Sequence, residues 1–148
     1  HRTGSTFANI PFGMGVPLTS DSFGLAALWN LTPRFAMSGW FGYTQVDRAN
    51  GRSQQAEIIN YAVNFAFPDL FTKGAIGGIG FGMPPKVIRN ASSDRIDPGT
   101  GFHFEAFYQY SLTNQITLIP GIIYLTNPNH NSRNGDIFIG TFRTVFNF

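Results

Sequence analysis

The chain has no cysteine, and charged residues make up only 12% of its 148 positions. Without cysteine there is neither a disulfide scaffold nor a thiolate metal site, which fits an oxidising compartment. A soluble domain carries roughly 25% charged residues on average, so this surface is under-charged for bulk water. Ten basic and eight acidic side chains leave a net charge of +2, too little and too scattered for a nucleic-acid partner. Long hydrophobic runs are also missing. The greasiest stretch, "ITLIPGIIYL" (116–125), contains a proline and a glycine and falls short of the about 18–20 apolar residues of a spanning helix. No secretory leader is visible, and the chain opens on His1, as expected of a processed protein or a piece of a longer one.

Aromatic residues fill the space that charge leaves. They are 16% of the chain, with 16 phenylalanines beside 17 glycines, and they recur at every second position. In 57–67, Ile59, Tyr61, Val63, Phe65 and Phe67 alternate with Asn60, Ala62, Asn64 and Ala66. In 102–112, Phe102, Phe104, Ala106, Tyr108 and Tyr110 oppose His103, Glu105, Gln109 and Ser111, with Phe107 out of step. The segments 22–30, 34–45 and 136–148 alternate likewise; 75–83 and 115–126 do so less clearly. Period two is the strand signal, and seven strands of about ten residues suit a tilted bilayer crossing.

Connections alternate in length. Residues 31–34, 68–74 and 112–115 are short, whereas 47–55, 84–101 and 127–135 are long, polar and hold most of the charge. Short turns on one side and long loops on the other mark an outer-membrane barrel. A soluble antiparallel sandwich is the competing reading, and charge placement separates the two. Asp21, Glu57 and Asp136 share parity with the rings, but only at the long-loop ends. Glu105 and Arg143, within strands, have the opposite parity. A lipid-facing charge costs about 2–4 kcal/mol at the midplane and almost nothing at the interface. The expected fold is therefore all-β, a transmembrane antiparallel barrel.

The chemistry expected of such a wall is selective passage. Asn60, His103, Glu105, Gln109 and Arg143 are the candidate pore-lining residues. Lys86, Arg89, Asp94, Arg95 and Asp97 are candidate charges of an inward constriction in 84–101, or of a plain surface loop. Trp29, Phe35, Phe67, Tyr110, Phe146 and Phe148 would form a lipid-facing aromatic belt at the short-turn end. Phe23, Tyr43, Phe102, Tyr124 and Phe138 would form the opposite girdle. Only Trp40 and Phe107 carry rings with lumen parity, too few for a sugar-stacking slide. No catalytic group, cofactor or metal site is expected: "GGIGFG" completes no phosphate loop, and His103, Glu105 and His130 lack a metal-binding motif. An odd strand count leaves an open edge, so 1–148 is expected to be the C-terminal portion of a larger barrel; a complete eight-stranded barrel is the alternative.

The succession "LWNLTPRFAMSGWFGYT", "FAFPDLF", "GMPPKV", "HFEAFYQYSLTNQITLIPGI", "TNPNHN" and "FRTVFNF" resembles the C-terminal part of the carbohydrate-selective (OprB-type) porins, in their cyanobacterial iron-uptake branch. The resemblance implies a homotrimeric barrel of about sixteen strands in the outer membrane of a cyanobacterium. It also implies an N-terminal S-layer-homology module that binds peptidoglycan and is absent from this chain. The implied function is a water-filled channel for small hydrophilic solutes or ions, with carbohydrate and iron both candidate cargoes. A plugged barrel with a structural or adhesive role is the alternative. The terminal Phe148 resembles the signal read by the outer-membrane assembly machinery.

Overall fold

A computed structural model describes residues 3–51 and 53–148; His1, Arg2 and Arg52, the last within the expected 47–55 loop, lie outside the described residues. After a single helical turn, α1 (Thr6–Asn9), the chain runs as seven strands: β1 (Leu18–Thr32), β2 (Phe35–Arg48), β3 (Gln55–Pro68), β4 (Ile76–Asn90), β5 (His103–Ser111), β6 (Ile116–Leu125) and β7 (Ile137–Phe146). They form one antiparallel meander in sequence order. Each strand has at least nine residues, as many as a tilted bilayer crossing needs.

Register carries one parity across the whole sheet. Phe23, Tyr43 and Ile59 face one another in successive pairs, as do Leu25, Phe41 and Tyr61. The row continues through Val63–Phe81, Phe81–Phe104, Phe104–Tyr124 and Tyr124–Phe138. Ring contacts follow it, with centroids 4.9 Å apart for Phe81–Phe104 and 5.3 Å for Phe35–Phe67. Such cross-strand aromatic pairs are units of sheet stabilisation. Apart from the turn after β3, no described segment covers this outer face: Leu25 is 75% exposed and Phe142 68%.

Two expected boundaries move. β1 begins at Leu18, and β4 extends to Asn90, so Lys86 and Arg89, expected on a loop, lie on a strand. In β4 the cause is two register shifts against β3, between Glu57/Ile58 and Ile59/Tyr61. Each places one extra residue in β4, as a β-bulge does, and Pro84–Pro85 falls beside the second. Alternation breaks there, but strand pairing does not.

The small core lies on the other face, at the long-loop end. Val46, Ala56, Ile58 and Val87 are buried there beneath Phe7, Ala8 and Phe12. Residues 3–17 contribute no strand, and the segment lies against the inner side of the sheet. Among the described residues, β1 and β7 each pair on one side only.

Candidate channel lining

By register, Asn60, His103, Glu105, Gln109 and Arg143 share the inner face. Gly42 pairs with Asn60, Gly82 with His103, Gly80 with Glu105, Ile76 with Gln109 and Ile119 with Arg143. Glycine on the neighbouring strand decides how these side chains lie. A Cβ on Gly42 would come within 2.7 Å of the Asn60 carboxamide oxygen, and one on Gly80 within 2.9 Å of that of Asn64. A Cβ on Gly78 would collide with the Phe107 ring. Phe107, out of step in the sequence, therefore lies flat over a glycine. The "GGIGFG" stretch makes room for the wall's own side chains.

This face is hollow. One cavity of about 410 Å³ is lined by Trp40, Asn60, Asn64, His103, Glu105 and Thr3. Another, of about 680 Å³, is lined by Glu105, Phe107, Gln109, Thr141 and Arg143. His103 Nε2 lies 3.4 Å from a Glu105 carboxylate oxygen, and both side chains are open to solvent. Trp40, 50% exposed, stands beside this pair.

The segment packed over the inner face is residues 3–17, and 84–101, offered as an inward constriction or a plain surface loop, braces it. Ser5, fully buried, caps α1 by accepting from the Ala8 amide at 2.9 Å. Its hydroxyl donates to the Asp97 carboxylate at 2.7 Å, and the same oxygen accepts from the Val87 amide at 2.7 Å. Asp97 is thus a buried structural acceptor rather than a free loop charge. Arg95 donates to the Ile10 carbonyl, Asn90 to the Pro11 carbonyl, and the Thr6 amide to Asn129 Oδ1. Lys86 donates to Thr100 Oγ1, and Arg89 pairs with Glu57 at 3.3 Å on the ring-bearing parity near the loops. Asp94, in the turn Ser93–Arg95, stays exposed.

His130, 2% exposed, ties the loops together. Its Nδ1 accepts from the Gly101 amide at 2.8 Å, so the ring proton sits on Nε2, which donates to the Pro84 and Pro85 carbonyls at 3.0 and 3.2 Å. That arrangement needs the neutral ring. Burial pushes its pKa down, and the lesser influences oppose one another: the Pro84 and Pro85 carbonyls and Asp97 raise it, whereas Lys86 lowers it. The sequence offered "NPNHN" as polar loop, with no sign of this latch.

The belt residues lie on the outer face or just past its end. Phe67 pairs with Gly77, Tyr110 with Leu118 and Phe146 with Ile116. Trp29 faces Met37, Phe35 stacks on Phe65, and Phe148 projects beyond β7. At the other end Asp136 accepts from the Asn127 amide at 3.1 Å and from the Tyr124 hydroxyl; the latter, chiefly, lowers its pKa.

An exposed aromatic face, opposite one that carries glycines, amides and strand charges among aliphatic residues, fits a porin-type outer-membrane wall. The sequence model of the carbohydrate-selective porin (OprB) family matches residues 3–148, and the chain belongs to that family. Among curated proteins it is similar to the uncharacterized protein sll0772 of Synechocystis sp., 29% identical over 99% of this chain and 30% of that protein. It is also similar to the uncharacterized protein alr4550 of Nostoc sp., 32% identical over 88% of this chain and 22% of that protein. The chain thus spans less than a third of either cyanobacterial relative. No solved structure gives a significant match.

Proposed function

We propose that this chain forms part of the wall of a water-filled outer-membrane channel in a cyanobacterium, through which small hydrophilic solutes diffuse. The single parity kept through seven strands supports this reading most strongly. In a soluble sandwich a second layer would cover the ring-bearing side. Here the covering segment lies on the opposite side, and the rings stay bare. β1 and β7 would leave unpaired backbone groups in hydrocarbon, so we infer that strands elsewhere in the full polypeptide close the barrel. By the family likeness, that barrel assembles as a homotrimer and is tied to peptidoglycan by a separate module.

Asn60, His103, Glu105, Gln109 and Arg143 are the proposed lining, with Asn64 and Trp40 added by the cavity. Residues 3–17 narrow the passage from the long-loop side. An indole beside carboxamides and a carboxylate suits a sugar's apolar face and hydroxyls, so carbohydrate is the favoured cargo over iron or other inorganic ions. The full-length protein in a planar bilayer should give stepwise conductance, reduced by added sugar. Conductance without sugar block would remove the cargo assignment. A silent bilayer would favour a plugged barrel with a structural role, the reading that the position of residues 3–17 also suits.

A further inference from the structure

The connection between β3 and β4 is built differently from the other short turns. Residues 69–75 fold outward over the ring-bearing face. Leu70 fills the space where Gly77 would carry a side chain, and Gly77 pairs with both Phe67 and Tyr108 on that face. The Tyr108 hydroxyl donates to the Leu70 carbonyl at 2.8 Å and pins the turn outward. Asp69 holds it shut, accepting from the Gly74 amide at 2.7 Å and donating its own amide to the Ala75 carbonyl at 2.8 Å.

At the tip, Phe71 adopts left-handed backbone with φ 60°, an uncommon and costly state for an aromatic residue. Its side chain gains little cover in return, being 92% exposed with its ring 6.2 Å from that of Tyr108. Lys73, close by, is exposed and has no ion-pair partner among the described residues. A strained, rigidly hydrogen-bonded turn that presents a bare ring and a free ammonium wastes both in water.

We propose that residues 69–75 anchor the wall to phospholipid of the leaflet on the short-turn side. Leu70 and Phe71 enter the boundary between headgroups and acyl chains, and Lys73 reaches the phosphates. Continuity with Phe67 and Tyr108 selects lipid as the occupant: the turn prolongs a surface already read as lipid-facing, and the inference rests on that reading. Aromatic rings favour this depth, and a lysine stem can lie in the apolar layer while its ammonium stays wet.

The test uses the full-length protein in vesicles of phosphatidylethanolamine and phosphatidylglycerol, with a bimane label on single cysteines and brominated acyl chains as quencher. Phe71→Cys should be quenched about twofold, as for a group at the acyl boundary. Asn114→Cys, on the neighbouring turn, should be nearly unaffected. Ala106→Cys, on the outer face within β5, reports the wall itself. Ala106 quenched with Phe71 bright overturns the anchor and leaves the wall standing, whether water or a second protein surrounds the turn. Both bright overturns the wall and the anchor together. Should Phe71→Cys not fold, Lys73→Cys takes its place; quenching between the Phe71 expectation and Asn114 supports the anchor, and none overturns it.

Discussion

The two faces of this sheet share every backbone hydrogen bond, yet they solve different problems. The outer face spends its volume on rings: Phe23, Tyr43, Tyr61, Phe81, Phe104, Tyr124 and Phe138 run across it with no layer above them. The inner face carries glycines, amides and strand charges among aliphatic residues such as Ile119 and Ile123, and it holds both the buried core and the capping segment. A soluble β-protein would place its core under the rings. Burial here is found on the face opposite the rings, as the proposed wall requires, since hydrocarbon, not protein, would be the solvent of the rings.

Charge insertion separates the faces most sharply. Val63→Arg, on the outer face within β3, should destabilise folding into bilayers by about 2–4 kcal/mol. Asn64→Arg, one residue on, should cost less than about 1 kcal/mol and alter ion selectivity instead. Urea titration in vesicles and reversal-potential measurements check the pair; equal destabilisation would erase the distinction.

Within the inner face, the long-loop end is braced and the short-turn end is open. Asp97→Ala strands the buried Ser5 hydroxyl and Val87 amide, at a cost of about 1–3 kcal/mol. Hydrogen exchange in α1 should accelerate, and mean conductance should rise as residues 3–17 loosen. Faster exchange in α1 with unchanged conductance would show that the segment does not narrow the passage.

Acid should loosen the same brace. The folded loop holds His130 below its ordinary pKa, so the opened loop binds the extra proton. Stabilisation is then full above pH about 6.5 and declines as pH falls, by at most about 1.4 kcal/mol per unit and only as far as the depressed folded value. Exchange of the Gly101 amide should rise on acidification, and His130→Ala should abolish that dependence. The smallest effect belongs to Gly78→Ala, which should lift Phe107 off the wall and lower conductance, with a stability change under about 1 kcal/mol.

Strands, parity and alternating connections were legible because each residue's environment repeats every second position. Legibility failed where contacts cross the chain. Pro84–Pro85 hides the continuation of β4, since two extra residues flip parity and restore it. Residues 3–17 alternate poorly, and nothing local says that Phe7 and Phe12 dock on Val46 and Val87. Asp97 looks like any loop acid until Ser5, 92 residues away, is found against it. The Phe107 anomaly was visible, but its resolution needed Gly78 on the next strand.

Thiol accessibility tests the two-faced wall most directly. Tyr61→Cys and Ala62→Cys, adjacent within β3, would be placed singly in the full-length protein in sealed vesicles and exposed to a charged, water-soluble thiol reagent. Ala62→Cys should react readily and Tyr61→Cys should stay unmodified. Rapid reaction at Tyr61 with protection at Ala62 would contradict the account.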